Sequence, residues 1–203
     1  TSLDGVFSHG INRFPRFIGD VRDGIVSPGL EPELISSFSA FEQWNGQGGA
    51  GISNALSSTD RSMELAATFG IGCVGLHNTN HWMRGGTYGW RAAKNGMLFM
   101  GWTNTIPNMP PWGGSQVALG NNPFILAIPY HEEHLVLDMA MSQYSYGKLE
   151  WHRRNGTDLP VFGGYNLDNE LTKNPGEILE SQRILPAGLW KGSALSLVLD
   201  LAA

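Results

Sequence analysis

Two short polar runs carry the side chains best suited to chemistry. Ser8, His9 and Arg13 place a hydroxyl, an imidazole and a guanidinium within one or two turns of chain. A guanidinium can hold a carboxylate with two parallel hydrogen bonds, and an imidazole can donate a proton near neutral pH. The first run therefore predicts a site for a small oxidised acid. The second run, 77–86, is rich in amides and imidazoles, and we expect it, with His81, to form the wall of a polar pocket.

Composition limits the kinds of protein that this chain can be. Its 203 residues, 41% of them apolar, suffice for one large domain or a small two-lobed one with a buried core. The net charge of −5 and the lack of a basic run argue against nucleic acid as a partner. We find no signal peptide and no apolar run that could cross a bilayer. The single cysteine, Cys73, is expected to be a small buried core residue. One cysteine cannot form an internal disulfide, which is compatible with a reducing compartment and makes the cytoplasm the default location.

The elements that must position these side chains follow from periodicity. Helical spacing of Ile52, Leu56, Met63, Ala66 and Ala67 predicts a helix over about 52–69, with Gly70 as its stop. A short buried strand should follow over 71–76. Short apolar runs separated by turns over 117–139 predict a meander. The sequence therefore indicates a mixed α+β fold, in which a mostly antiparallel central sheet is flanked by helices.

The remaining segments receive simpler predictions. Residues 6–24 are expected to form a short helix interrupted at Pro15, and 35–44 a strand. Residues 142–155 are expected to be helical, 156–177 a long loop, and a last helix should begin near Gly192.

A glycine-rich run, Gly46–Gly51, fits the G-x-G-x-x-G pattern that lets backbone amides approach a pyrophosphate at a helix N-terminus. The pattern also requires an acid at the end of the next strand, to hold the ribose. That strand ends at Leu76 and His77 without one. We therefore interpret the run as a flexible turn, and keep a dinucleotide-binding dehydrogenase of the Rossmann type as an alternative.

Metal and serine-hydrolase chemistry are weakly supported. Two histidine pairs have ligand-like spacing, but neither lies in an H-E-x-x-H array and there is no cysteine cluster, so we expect no metal site. The pairs are His77 with His81, and His131 with His134. Ser8, His9 and Asp138 supply the groups of a hydrolase, but the G-x-S-x-G turn is absent.

Two further positions suggest binding. Asp138 ends an apolar strand, where a lone acid is more often functional than incidental. Lys191 and Ser193 precede the last helix, which is either an anion cradle or an ordinary helix start.

Taken in order, these motifs resemble the malate/L-lactate dehydrogenase family. The resemblance covers nearly the whole chain, and it is the ordered set that is specific. The matching residues are Ser8-His9-Gly10 with Arg13; Asn80-His81; Thr103-Asn104 with Pro111-Trp112-Gly113; Gly120-Asn121-Asn122-Pro123; Asp138-Met139-Ala140 with Ser142 and Gly147-Lys148; and Trp190-Lys191-Gly192.

The resemblance implies a non-Rossmann NAD-binding fold, with NAD on an unusual, mostly antiparallel sheet. It implies His9 as proton donor, with Ser8, Arg13, His81 and Asp138 as further catalytic residues. NADH is the implied cofactor, NADPH the alternative, and a homodimer is expected. The implied cofactor contacts are His134, Leu135, Val136, Leu137, Asp138, Met139, Ala140, Trp190 and Lys191. The turn at 130–134 is one residue longer than in relatives, and a C-terminal cofactor-binding segment of the family is not in this sequence.

The function expected from this resemblance is NADH-dependent reduction of a 2-oxo or 2,3-dioxo sugar acid. The run 81–86 favours the branch of the family that acts on dioxo sugar acids. Asp138 could hold a ribose or orient His9, and both roles stay open. The alternatives are another 2-hydroxy acid dehydrogenase of the same family and a non-catalytic module that binds a sugar acid or a nucleotide.

Residues 1–203 are expected to be the core of one oxidoreductase chain, trimmed at both ends, because the last residues stop inside an apolar helical pattern. We place an approximate split between substrate-side elements over 1–114 and an NAD-binding sheet region over 115–203.

Overall fold

The computed structural model of the chain describes residues 1–6 and 9–202, without the side chains of 198, 199, 201 and 202. The predicted mixed α+β class is confirmed. The α-helices are α1 (Phe14–Arg22), α2 (Gly51–Phe69), α3 (Gly86–Lys94), α4 (Tyr146–Arg154), α5 (Pro175–Ser181) and α6 (Trp190–Ala202). The strands are β1 (Glu33–Phe38), β2 (Phe41–Asn45), β3 (Cys73–His77), β4 (Phe99–Trp102), β5 (Phe124–Tyr130), β6 (Glu133–Met139), β7 (Gly164–Tyr165) and β8 (Leu171–Thr172).

The strands form three small sheets rather than one central sheet. Their orders are β1-β2-β3, β4-β5-β6 and β7-β8. The β1–β2 and β7–β8 pairs are antiparallel, whereas β2 and β3 run parallel, with Phe41 opposite Cys73 and Asn45 opposite His77. β5 and β6 are neighbours joined by only two residues, so they form an antiparallel hairpin within the segment predicted to be a meander. The chain divides into two units, Thr1–Met100 with Leu126–Leu137, and Gly101–Ile125 with Asp138–Ala203.

The first unit is organised around β2, α2 and β3. The predicted helix over 52–69 and its end at Gly70 are confirmed, because Gly70 adopts the left-handed conformation at φ 81° and its amide donates to Ala66 O. The predicted face was wrong, since Ile52 is 40% exposed. The buried positions are mostly small or polar, which lets the helix approach the chain beneath it closely: Gly51, Asn54, Ala55, Thr59 and Leu65.

A buried ion pair joins α2 to β2. The Glu42 carboxylate is 2% exposed and accepts hydrogen bonds from Arg61 Nε at 3.0 Å and Nη2 at 2.8 Å. Trp44 Nε1 donates to the same carboxylate at 2.9 Å. The hydrogen bonds from Arg61 hold the pKa of Glu42 below its ordinary value, with the Trp44 bond acting in the same direction and desolvation opposing both.

The second unit packs around two apolar clusters. One contains Met109, Leu119 and Met141, and the other Leu149, Leu159, Ile178 and Ile184. A buried amide ties α6 to the loop before β5. Asn122 Nδ2 donates to Asp200 Oδ1 at 2.7 Å and to Ser196 Oγ at 3.0 Å, while Asn122 Oδ1 accepts from the Thr105 amide at 2.9 Å. This network places α6, whose first turn carries Trp190 and Lys191.

Several local predictions were wrong for identifiable reasons. Residues 35–44 form a hairpin of β1 and β2 rather than one strand, turning at Ser39 with φ 53°. The first helix begins at Phe14, with Pro15 in its first turn, where a proline is tolerated. The predicted loop 156–177 contains β7, β8 and the start of α5, which the Asn174 side chain caps.

Two more expectations need correction. Cys73 is exposed rather than buried, because only one face of β3 packs against α2. The predicted helix over 142–155 begins only at Tyr146, after a Ser145 cap. Within the described residues, no helix is long and apolar enough to span a membrane.

We predict that Glu42→Gln lowers the free energy of unfolding by about 1–3 kcal/mol at neutral pH, because the amide removes the charge from the buried partner of Arg61 and cannot accept all the hydrogen bonds of the carboxylate. Urea titration measures this. Glu64→Gln, which removes the 65% exposed partner of the same Arg61, is the matched control and should change stability by less than about 0.5 kcal/mol.

The difference in unfolding free energy between wild type and Glu42→Gln should depend on pH. Because the pKa of Glu42 is lower in the folded state, its stabilisation is present above the unfolded-state pKa and is lost as pH falls through the folded-state value. Wild type and Glu42→Gln should therefore converge in acid. Equal stability of the two proteins at neutral pH would contradict this account.

Candidate active site

His9 and Arg13 are held by a tight turn that leads into α1. A 3₁₀ turn spans Ile11–Arg13, and the Arg13 amide donates to Gly10 O at 2.9 Å. Both His9 and Arg13 are half-buried, so they keep partial access to solvent. The predicted hydroxyl of Ser8 lies outside the described residues.

His81 lies beside His9, although it belongs to a distant part of the sequence within the first unit. It follows β3 and the segment 78–80, and its ring stacks on His9 with centroids 6.0 Å apart and planes inclined by 24°. The structure therefore brings together three of the predicted side chains, His9, Arg13 and His81, since Arg13 is close enough to act electrostatically on His81.

The tautomer of His81 is fixed by a backbone hydrogen bond. The Met83 amide donates to His81 Nδ1 at 3.0 Å, with Met83 in the left-handed region at φ 65°. Since Nδ1 is the acceptor, the neutral ring carries its proton on Nε2. Nε2–H is then a hydrogen-bond donor on a ring stacked against His9.

The surroundings of His81 favour its uncharged form. Desolvation, then the charge of Arg13 and that of His9, lower the pKa of His81 to about 4, with Arg16 acting in the same direction and Asp20 opposing it. More than a third of the residue's surface remains open to solvent, so water offsets part of the desolvation. At neutral pH His81 is therefore uncharged while it lies among cations.

A cavity of about 250 Å³ opens beside His9. Its walls are mainly apolar and belong to the first unit: Gly10, Ile11, Phe14, Ile52, Trp82, Met83, Thr87 and Tyr88. Trp82 and Tyr88 stack at 5.4 Å, and Tyr88 Oη donates to Trp82 O at 2.6 Å. Burial raises the pKa of Tyr88, so its hydroxyl stays protonated and keeps this bond.

Arg84 fixes the chain beyond His81. Its guanidinium lies 4.4 Å from the Trp90 ring centroid and donates to Asp4 Oδ2 at 3.1 Å. The segment between His81 and α3 is thus anchored at both ends, which makes the Met83 amide a fixed donor.

The glycine run 46–51 is not arranged to hold a pyrophosphate. Four consecutive amides donate inside the protein: Gly46 to His77 O, Gln47 to Asn45 Oδ1, Gly48 to Asn78 O and Gly49 to Gly46 O. These amides therefore already donate to protein acceptors and do not point at a phosphate, which agrees with the prediction that the pattern is not a phosphate loop. The expectation of a flexible turn was wrong, because the run is hydrogen-bonded into the fold.

The residues expected to hold a cofactor lie on β6 and at the start of α6. Side chains alternate along β6, so Leu135 is 61% and Leu137 48% exposed, while His134 Nδ1 is buried with no hydrogen-bond partner among the described residues. Asp138 is exposed and makes an interaction of its own. Exposed apolar side chains and an unsatisfied buried nitrogen on one strand suit a ligand that has both ring faces and polar groups.

The second set lies at the N-terminus of α6. Trp190 is 61% exposed and Lys191 is also exposed, while Gly192 is buried and its amide donates to Ala187 O at 2.8 Å. A lysine at the first turn of a 13-residue helix is suited to an anionic group. The described residues contain no group of three or more His, Cys, Asp or Glu side chains that could hold a metal ion.

The sequence did not reveal the Met83 amide, because a backbone donor has no residue signature. It also did not reveal Trp82 and Tyr88 as cavity walls. Both lie in the aromatic-rich run before and within α3, and no spacing in that run marks them as the lining of a cavity.

A family model, similar sequences and similar solved structures all relate this chain to dehydrogenases and reductases. Residues 1–203 match the family described as malate/L-lactate dehydrogenase. The chain is 51% identical over 203 residues to 2,3-diketo-L-gulonate reductase of Klebsiella pneumoniae (strain 342), and equally to that of Escherichia coli O6:K15:H31; it spans 61% of the length of each. The structure resembles sulfolactate dehydrogenase of Methanocaldococcus jannaschii, with a TM-score of 0.91 and 30% identity over 99% of this chain and 58% of that one. It also resembles delta1-piperideine-2-carboxylate reductase of Pseudomonas syringae pvar. tomato, with a TM-score of 0.92 and 27% identity over 98% of this chain and 60% of that one.

We predict that the His81 ring titrates well below the ordinary histidine value of about 6.5, with a midpoint near 4. The cause is partial desolvation and the neighbouring charges of Arg13 and His9. Ring-proton NMR over a pH series measures the midpoint, and the same ring in urea-unfolded protein is the reference.

The shift also has a consequence for stability. A lowered folded-state pKa means that the unfolded state binds more protons, so His81 should destabilise the fold as pH falls below the unfolded-state value. A His81 midpoint at or above the unfolded reference would show that the ring does not lie in the described environment.

Proposed function

Because this chain belongs to the malate/L-lactate dehydrogenase family, we propose that it is part of an NADH-dependent oxidoreductase that reduces 2,3-diketo-L-gulonate to 3-dehydro-L-gulonate. The similarity to reductases of that name over the whole chain supports this substrate. The reaction converts the 2-oxo group to an alcohol and leaves the 3-oxo group and the carboxylate unchanged.

The observation that carries the proposal is the cluster of His9, Arg13 and the uncharged His81 in one unit. A 2-oxo acid presents a carboxylate and, on the adjacent carbon, an oxygen that becomes negative during reduction. A guanidinium matches the first group and a proton-donating imidazole the second. The chain has both side chains within a few residues of each other.

Each residue then has a defined task. Arg13 binds the substrate carboxylate and so fixes the position of the adjacent carbonyl. His9, as imidazolium, donates its proton to the carbonyl oxygen, which becomes the hydroxyl of the product. Uncharged His81 adds no positive charge beside His9 and offers its Nε2–H as a hydrogen-bond donor there. We assign Ser8 to the same site on the basis of the family resemblance.

The cofactor is assigned to His134, Leu135, Val136, Leu137, Asp138, Met139 and Ala140 on and after β6, and to Trp190 and Lys191 of α6. The exposed leucines and the unsatisfied His134 nitrogen fit a nucleotide, as does the lysine in the first turn of α6. When bound, the reduced nicotinamide supplies the hydride. We propose NADH rather than NADPH on the basis of the family resemblance.

Location and assembly follow from the same proposal. The reductant comes from the intracellular nicotinamide pool, so we place the protein in the cytoplasm. We propose a homodimer, and the exposed apolar side chains of β1 support a contact between copies, since Leu34 is 49%, Ile35 55% and Phe38 82% exposed.

We predict that His9→Asn lowers kcat about a hundredfold or more, because a positioned general acid contributes about 10²–10⁴ to the rate. Binding of NADH, followed by nicotinamide fluorescence, should be unchanged. The assay uses the complete protein that contains this chain, with a 2,3-dioxo sugar acid and simpler 2-oxo acids as substrates. The control is His152→Asn on α4, which replaces a half-buried histidine outside the assigned set.

Two outcomes would contradict the proposal. Near-normal turnover of His9→Asn would remove His9 from the reaction. If the wild-type protein binds sugar acids but neither binds nor oxidises NADH, the chain is a binding module rather than part of a reductase.

A further inference from the structure

The glycine run 46–51 has no role in the proposed function, yet it packs against the segment that carries His81. A methyl group on Gly51 would lie 2.1 Å from Asn80 O and 2.6 Å from His81 O, and neither backbone atom can rotate away as a side chain would. The first turn of α2 therefore packs so closely on the backbone of residues 80 and 81 that no Cβ atom fits between them.

Side chains reinforce this contact from both directions. Asn80 Nδ2 donates to Gly48 O at 2.9 Å and to Gly49 O at 3.0 Å. Asn54 of α2, which is completely buried, donates to Gly46 O and to Thr79 Oγ1, both at 2.9 Å. Residues 79 and 80 are thus tethered to the run just before the chain reaches His81.

We propose that the run Gly46–Gly51 is a positioning element for the active site: it sets the backbone at His81 and thereby holds the His81 ring, with Nε2–H as donor, against His9. The inference rests on the proposed function for its catalytic consequence, but the placement of His81 is a property of the fold alone. The run resembles a phosphate loop in sequence because both need glycines where backbones approach closely.

Two contacts connect Gly51 to His9: Gly51 touches the backbone of Asn80 and His81, and the His81 ring stacks on His9. Moving Asn80 O and His81 O away from α2 moves the His81 ring, which stacks at 6.0 Å on His9. The Met83 amide is anchored separately through Arg84 and the Tyr88 bond to Trp82, so a displaced ring also loses its Nδ1 partner. A shift of even an ångström in a positioned group can cost about a hundredfold in rate.

The test is Gly51→Ala in the complete protein, compared with Gly70→Ala at the other end of the same helix. Gly70 lies at φ 81° with open space around it, so alanine strains the backbone there without touching residues 78–81. We expect Gly51→Ala to lower kcat about tenfold or more, with Kd for NADH unchanged. Gly70→Ala should lower the melting temperature and keep the wild-type kcat.

A readout independent of activity separates this inference from the proposed function. In Gly51→Ala the NMR midpoint of His81 should rise towards its unfolded value, and the amide signal of Met83 should shift, whereas Gly70→Ala should leave both as in wild type. If the wild-type protein has no reductase activity, the NMR comparison still decides whether the run positions His81.

A second variant covers the case in which Gly51→Ala does not fold. Asn80→Ala removes the hydrogen bonds to Gly48 O and Gly49 O and introduces no clash, and it should move kcat and the His81 midpoint in the same direction. A folded variant at either position with wild-type kcat and a wild-type His81 midpoint would overturn the proposal.

Discussion

The close contact between the first turn of α2 and the backbone of Asn80 and His81 is the constraint on which the candidate site depends. It requires glycine at position 51, and the next buried positions of the helix, Asn54, Ala55 and Thr59, are small or polar. β2 precedes α2 in sequence and β3 follows it, and the two strands pair in parallel with Asn45 opposite His77, so the chain leaves β3 next to the point where it entered the helix. The backbone of residues 79–81 is thereby fixed against the start of α2 by hydrogen bonds and close packing.

Electrostatics then determine what that histidine can do. Partial desolvation, and then the charges of Arg13, His9 and Arg16, lower the pKa of His81 and favour its uncharged ring. The Met83 amide completes the arrangement by occupying Nδ1. The result is a cluster with positive charge on Arg13 and a neutral donor on His81 beside His9, which supports the proposed reduction of an acid at this place.

How much of this could be predicted from the sequence depended on how local each signal was. α2 and its end at Gly70 were predicted because periodicity and a C-terminal glycine act within a few residues. The exposure of Cys73 was missed because an apolar run does not show which strand faces are covered. His9 and Arg13 were predicted from residue type. The contact of Gly51 with His81 joins residues 30 apart in sequence, and only the packing of β2, α2 and β3 creates it.

We propose above all that the ring of His9 meets the reacting carbonyl while Arg13 holds the carboxylate of the same substrate. A crystal structure of the complete protein with NADH and a non-reducible 2-oxo acid analogue tests it most directly. The account predicts a His9 ring nitrogen about 2.6–3.2 Å from the carbonyl-equivalent oxygen, the analogue's carboxylate on Arg13, and His81 Nδ1 still bound to the Met83 amide. An analogue bound elsewhere, with His9 out of reach of its oxygen, would contradict the account.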